Sequence, residues 1–123
     1  MLDEVAMLLQ QNGIQNVYKA SMPDEPHGAV CLYQYAGSPP NLIHEGTAWA
    51  NPGLQVVSRD TTYPEAYQKI ERVLEVLHGR TNTLIGEHKY LRIAALQSPF
   101  PLGRDSQARH QIAVNFAVAR QEN

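Results

Sequence analysis

Residues 109–119 read Arg-His-Gln-Ile-Ala-Val-Asn-Phe-Ala-Val-Ala, and their alternation decides the fold class. Ile112, Val114, Phe116 and Val118 fall on one side of an extended chain, and Ala113, Asn115 and Ala117 fall on the other. Successive side chains of a strand point to opposite faces, so this period of two predicts a long strand with one face to bury. The second face is made of small residues, which lets a neighbouring surface approach closely.

The cover for the buried face is legible upstream. Thr62 followed by Glu65 matches a capping box, with Pro64 in the first turn. Ala66, Ile70, Val73, Leu74 and Leu77 then make one apolar stripe at helical spacing, and Gly79 stops the helix. Such a helix is about 24 Å long at its usual rise per residue. Burying its four larger aliphatic side chains contributes on the order of 6–12 kcal/mol gross, before ordering entropy is subtracted.

The remaining segments are shorter. Residues 2–12 read as a helix with Leu2, Val5, Ala6 and Leu9 on one face, Asp3 and Glu4 in the first turn, and Gly13 as its stop. Val17–Ala20 reads as a short strand and Met22–Gly28 as a loop. Ala29–Tyr35 is an inner strand, ended by Gly37–Pro40. Residues 41–52 show no clear period and read as a long loop, followed by a strand at Leu54–Arg59. Thr81–Ile85 and Tyr90–Leu96 flank a hairpin turn at Gly86–Lys89. Gln97–Asp105, with Pro99, Pro101 and Gly103, reads as a loop. The order predicts an α+β fold: a mostly antiparallel or mixed β-sheet of about five to six strands with two main helices packed on it. The length of 123 residues predicts a single domain, 1–123.

Composition removes several function classes. The chain holds 10 basic and 12 acidic residues, a balance that argues against a nucleic-acid-binding face. Cys31 is the single cysteine and lies in an apolar run, so it reads as a small buried hydrophobe and makes no internal disulfide. Residues 1–9 lack a basic start followed by an apolar stretch, and no run approaches the roughly 20 apolar residues of a membrane helix. These features predict synthesis in a cytoplasm and no membrane partner.

No catalytic pattern emerges. His27, His44, His78, His88 and His110 show no ligand spacing on one helix, and the adjacent His44-Glu45 is a weak metal signal. The glycines form no phosphate loop, and no nucleophile elbow is present. Glu71 and Glu75 sit four residues apart on the polar side of the helix, where solvated charge is the ordinary reading. The expectation is no enzyme, no cofactor, no metal and no catalytic residue. Candidate interface residues are Leu42, Ile43 and Trp49, large apolar side chains on the 41–52 segment that either cover the core edge or meet a partner. Arg104 and Asp105 join them, as a local pair stabilising a turn or as a contact between subunits.

Several segments carry a resemblance when taken in order. They are Tyr33-Gln34-Tyr35-Ala36-Gly37 with Pro39-Pro40, then Trp49, Pro52-Gly53-Leu54-Gln55-Val56 and Arg59. The helix with Ala66, Leu74 and Leu77 follows, then Gln97-Ser98-Pro99-Phe100, Leu102-Gly103-Arg104-Asp105 and Asn115-Phe116. Across nearly its whole length the chain resembles the minor capsid or tail terminator proteins of phages with long non-contractile tails. The resemblance implies a structural virion protein of the neck, a homo-oligomeric ring of six subunits that caps the tail tube and stops its polymerisation. It implies as partners the tail tube protein and the head connector protein, with DNA only passing through the lumen. Loops 41–52 and 97–108 are the candidates for the axial faces of such a ring. The alternatives are a head-completion or connector protein of the same neck, a small metal-dependent hydrolase using His44 and Glu45, and a regulatory binding module of the host cell.

The helical stripe predicts that Leu74→Ala costs roughly 2–5 kcal/mol in chemical denaturation; a loss under about half a kcal/mol would take the stripe out of the core.

Overall fold

The computed structural model describes residues 1–41 and 49–121. The elements run α1 (Leu2–Gln11), β1 (Val17–Lys19), β2 (Ala29–Asn41), β3 (Trp49–Asp60), α2 (Tyr63–Leu77), β4 (Arg80–Ile85), β5 (His88–Ala95), β6 (Phe100–Arg104) and β7 (His110–Gln121). The strands form one mixed sheet in the order β1-β2-β3-β7-β5-β4, with β6 also paired to β7. Every pairing is antiparallel except β1 with β2. This is the α+β architecture that the alternation predicts.

Both helices pack on one face of the sheet. The core there joins Val5 and Leu9 of α1 and Ala66, Ile70, Val73 and Leu77 of α2 to inward residues of the strands. Those are Val30 and Leu32 of β2, Leu54 and Val56 of β3, Ile93 of β5, and Ile112, Val114, Phe116 and Val118 of β7. The Thr62 hydroxyl accepts the Glu65 amide at 3.3 Å and donates to Glu65 Oε1 at 2.8 Å, so the capping signature starts α2 as expected. Ser58, fully buried on β3, donates its hydroxyl to Ala66 O at 2.8 Å and fastens α2 to the sheet. Gly13 ends α1 at φ +85, and the Ile14 amide returns to Leu9 O at 3.1 Å with its side chain in the core.

Four expectations need correction. β2 does not stop at Gly37–Pro40 but continues to Asn41, through register shifts on either side of Ser38. β1 pairs only with Val30, Cys31 and Leu32, so beyond them the outer edge of β2 needs no donors and prolines fit there. β3 begins at Trp49 rather than Leu54, because 49–53 lie between β2 and β7 and gain main-chain partners on both sides. A side chain at Gly37 would stand 1.9 Å from the backbone oxygen of Asn51, which explains a glycine at this close crossing.

The 97–105 segment is the third correction. Its residues 100–104 form β6, an edge strand with a bulge between Pro101 and Gly103, which raises the sheet to seven strands. β5 and β6 take successive halves of the same edge of β7. The step between them is bridged at Asn115, whose carbonyl accepts the Leu96 amide at 2.8 Å and whose amide donates to Gln97 Oε1 at 3.0 Å.

Leu74 is the fourth correction. It packs against the core but is only partly buried, whereas Leu77 is fully buried. Leu77→Ala should cost roughly 2–5 kcal/mol and Leu74→Ala only roughly 1 kcal/mol by chemical denaturation; equal losses would contradict this placement.

Candidate subunit interface

Strand alternation gives the sheet a second, helix-free face. It carries Cys31, Tyr33 and Tyr35 of β2, Gly53, Gln55, Val57 and Arg59 of β3, and Ala113, Asn115, Ala117 and Ala119 of β7, matched across the strands by register. The two halves of this face differ.

One half is roofed by the 20–28 loop, which two buried arginines hold down. Arg59, 2% exposed, donates Nε to His27 O at 3.0 Å and an Nη to Pro26 O at 2.6 Å. Arg109, 5% exposed, donates to Asp24 O at 2.5 Å, to Asp24 Oδ1 at 3.3 Å and to Asp105 Oδ2 at 2.7 Å. A planar fork of fixed donors suits this task better than an ammonium would. Under the roof Cys31 and Ala113 are fully buried, and burial pushes the Cys31 thiol up from its ordinary value. It is an inert packing residue.

Asp105 belongs to this anchor. Its carboxylate accepts the Gln107 amide at 3.0 Å and the Arg109 amide at 2.9 Å as well as the Arg109 guanidinium. Desolvation raises its pKa, but these bonds outweigh that and hold it below the ordinary aspartate value. The pair at this turn is therefore Asp105 with Arg109, four residues on, and not with the adjacent Arg104, which is exposed at the end of β6.

The other half is open. A groove of about 380 Å³ runs over Gly53, Ala117 and Ala119, walled by Tyr35, Arg92 and Leu96. Tyr35 lies directly above Gly53, where any side chain would meet its ring at 2.3 Å, and its hydroxyl donates to Phe116 O at 3.4 Å. Tyr35 and Leu96 remain 37% and 59% exposed. Leu84, 71% exposed, stands on the same face opposite Lys89. Small residues below and exposed large ones at the rim suit the close approach of another protein surface.

The structure splits the sequence-derived candidates. Trp49 is half buried and pairs with Gln121 at one end of β7, while Arg104 pairs with His110 at the other, roughly 35 Å away along the strand. Leu42 and Ile43 lie outside the described residues, as do His44 and Glu45. Arg92 and Leu96 carry no sequence signal, and Tyr35 stands only in the resembling Tyr33–Gly37 segment; the small second face of β7 is the feature that points towards all three. Among the described residues no three His, Cys, Asp or Glu side chains converge as a metal site. His78 Nδ1 accepts the Ala95 amide at 2.9 Å, and His110 packs edge-on against Tyr63. His88 contacts Glu4 at 2.6 Å, and Glu4 also accepts the Tyr90 hydroxyl at 2.6 Å, docking α1 on the β4–β5 hairpin. No described helix is long and apolar enough to cross a membrane.

The sequence profile of the bacteriophage tail terminator proteins matches residues 8–122. The chain belongs to the bacteriophage tail terminator family. It is thus a structural protein of the phage tail region, in a family of virion components. No curated protein matches the sequence. A solved structure described as the virion of a native gene transfer agent (GTA) particle superposes with a TM-score of 0.64 at 16% identity, covering 94% of this chain and 85% of that chain. The likeness shows that the terminator-family chain and that virion chain share a fold.

The loop anchor gives a pH-dependent expectation. A carboxylate held below its ordinary pKa contributes its stabilisation above that value and loses it as pH falls through the lowered one. Amide protection factors in 22–28 should therefore be high at neutral pH and fall once the pH drops below the ordinary aspartate value of 3.8. Arg109→Met should produce fast exchange in that loop at neutral pH with α2 unaffected; unchanged protection would remove Arg109 as its anchor.

Proposed function

We propose that this chain forms a ring, six subunits around, which caps the tail tube, stops its polymerisation and offers the head connector a surface to bind. The observation that carries the reading is the open half-face of the sheet in a tail terminator family member. Its groove, with exposed Tyr35 and Leu96, suits the body of a neighbouring subunit. A ring requires a heterologous contact, with two different patches on each copy, and closes only when the rotation between copies does. The chain acts as one domain, 1–123, and the job needs no cofactor and no catalytic group. DNA passes through the lumen, and the slight overall acidity is compatible with passage without retention. The protein is made in the host cytoplasm and works in the virion neck. The exposed end of β6 with Arg104 belongs on one of the axial faces that meet the tube and the connector.

Tail length in electron micrographs of particles assembled without the protein tests the reading. The expected outcome is overlong tails of variable length beside unattached filled heads. Tails of normal, uniform length with unattached heads would overturn termination in favour of head completion, and intact particles would remove the protein from the neck.

A further inference from the structure

The charges of this molecule are sorted by layer. Its strands hold seven bases, Lys19, Arg59, Arg80, Lys89, Arg92, Arg104 and Arg120, against one acid, Asp60. α2 carries Glu65, Glu71 and Glu75. The open half-face displays exposed Lys89 and Arg92 with no carboxylate on the strand segments that build it. Across the molecule, the outer flank of α2 displays Tyr63, Tyr67, Leu74 and His78 at helical spacing, followed by exposed Glu71 and Glu75. Tyr63 is 43% exposed and stacks on Tyr67, their ring centres 5.9 Å apart. The cations of α2 lie on its other flank: Lys69 pairs with Asp60 at 3.4 Å, and Arg72 donates to Asn12 O at 3.1 Å.

We infer that the open sheet half-face of one copy receives the outer flank of α2 of the next copy, with Lys89 and Arg92 facing Glu71 and Glu75. The two patches match in character: two cations around an apolar groove floored by glycine and alanine, and two carboxylates beside two aromatic rings and a leucine. They differ from each other and lie on opposite layers of the molecule, as a head-to-tail contact between identical subunits requires. Aromatic residues fill the small-residue groove and supply contact area, while opposite charges at the rim fix register and exclude a sheet-to-sheet or helix-to-helix pairing. The inference rests on the ring reading and names the surfaces that would build the ring.

Charge reversal tests it on assembled particles. Lys89→Glu with Arg92→Glu, or Glu71→Arg with Glu75→Arg, should each lower the fraction of correctly terminated tails at least about tenfold. The four changes together should restore uniform tails, and thermal melts of the purified variants should match the parent. Uniform tails from either two-residue variant, or no restoration by the fourfold variant while it melts normally, would overturn the pairing. A second measurement uses Arg92→Cys with Glu75→Cys under oxidation, where Cys31 stays buried. Cross-linked ladders up to the ring size are expected; monomers alone on tails that are nevertheless terminated would sink this interface while leaving the ring reading in place. Uniform tails in the complete absence of the protein would sink the ring reading itself.

Discussion

Strand β7 exchanges main-chain hydrogen bonds with three other strands, and the molecule is arranged around that fact. On one edge it pairs with β3 from Trp49 to Asp60; on the other β5 and then β6 occupy successive halves. Its side chains divide the same way across the sheet. Ile112, Val114, Phe116 and Val118 sit in the helix-covered core, while Ala113, Asn115, Ala117 and Ala119 lie on the other face. A slip of one residue would exchange these sets and place Phe116 where the groove requires alanine. Core and open face are thus specified by one register.

The two halves of the helix-free face show how local sequence assigns different work to one surface. Where Arg59 and Arg109 reach upward, they find the carbonyls of Pro26, His27 and Asp24, and the surface is roofed. Both charges are almost fully buried, and hydrogen bonds to carbonyl and carboxylate oxygens compensate their lost hydration. Where the strands instead present Gly53, Ala117 and Ala119, no long side chain stands up to meet a loop, and the surface stays available.

The regular elements were legible because each carries a local signal. The Thr62–Glu65 cap, the α2 stripe and the alternation of β7 all depend on neighbours within a few residues. β6 and the ends of β2 and β3 escaped because proline and glycine there read as turn chemistry. In β2 and β6 they occupy edges and bulges where a missing amide costs little, and at the start of β3, an inner strand, Pro52 lies opposite the register shift of β2 between Tyr35 and Ser38. The candidate site was legible only as a composition: the small second face of β7 was visible, but its companions Tyr35, Arg92 and Leu96 come from other strands, and register brings them together. Adjacency also misled at Asp105, which turns to Arg109 because the intervening tight turn brings that guanidinium round to it.

Pro39 and Pro40 have a consequence beyond ending a predicted strand late. They sit on a stretch of β2 whose outward edge β1 does not cover. A straight edge of free amides and carbonyls would be a template for adding further strands, the route by which sheet proteins grow into fibrils. Of two adjacent residues in a strand only one directs its nitrogen to a given edge, so one missing amide hydrogen, together with the register shift between Ser38 and Asn41, denies that edge the regular ladder it would need. That side of the hairpin is thereby kept from extending by main-chain pairing.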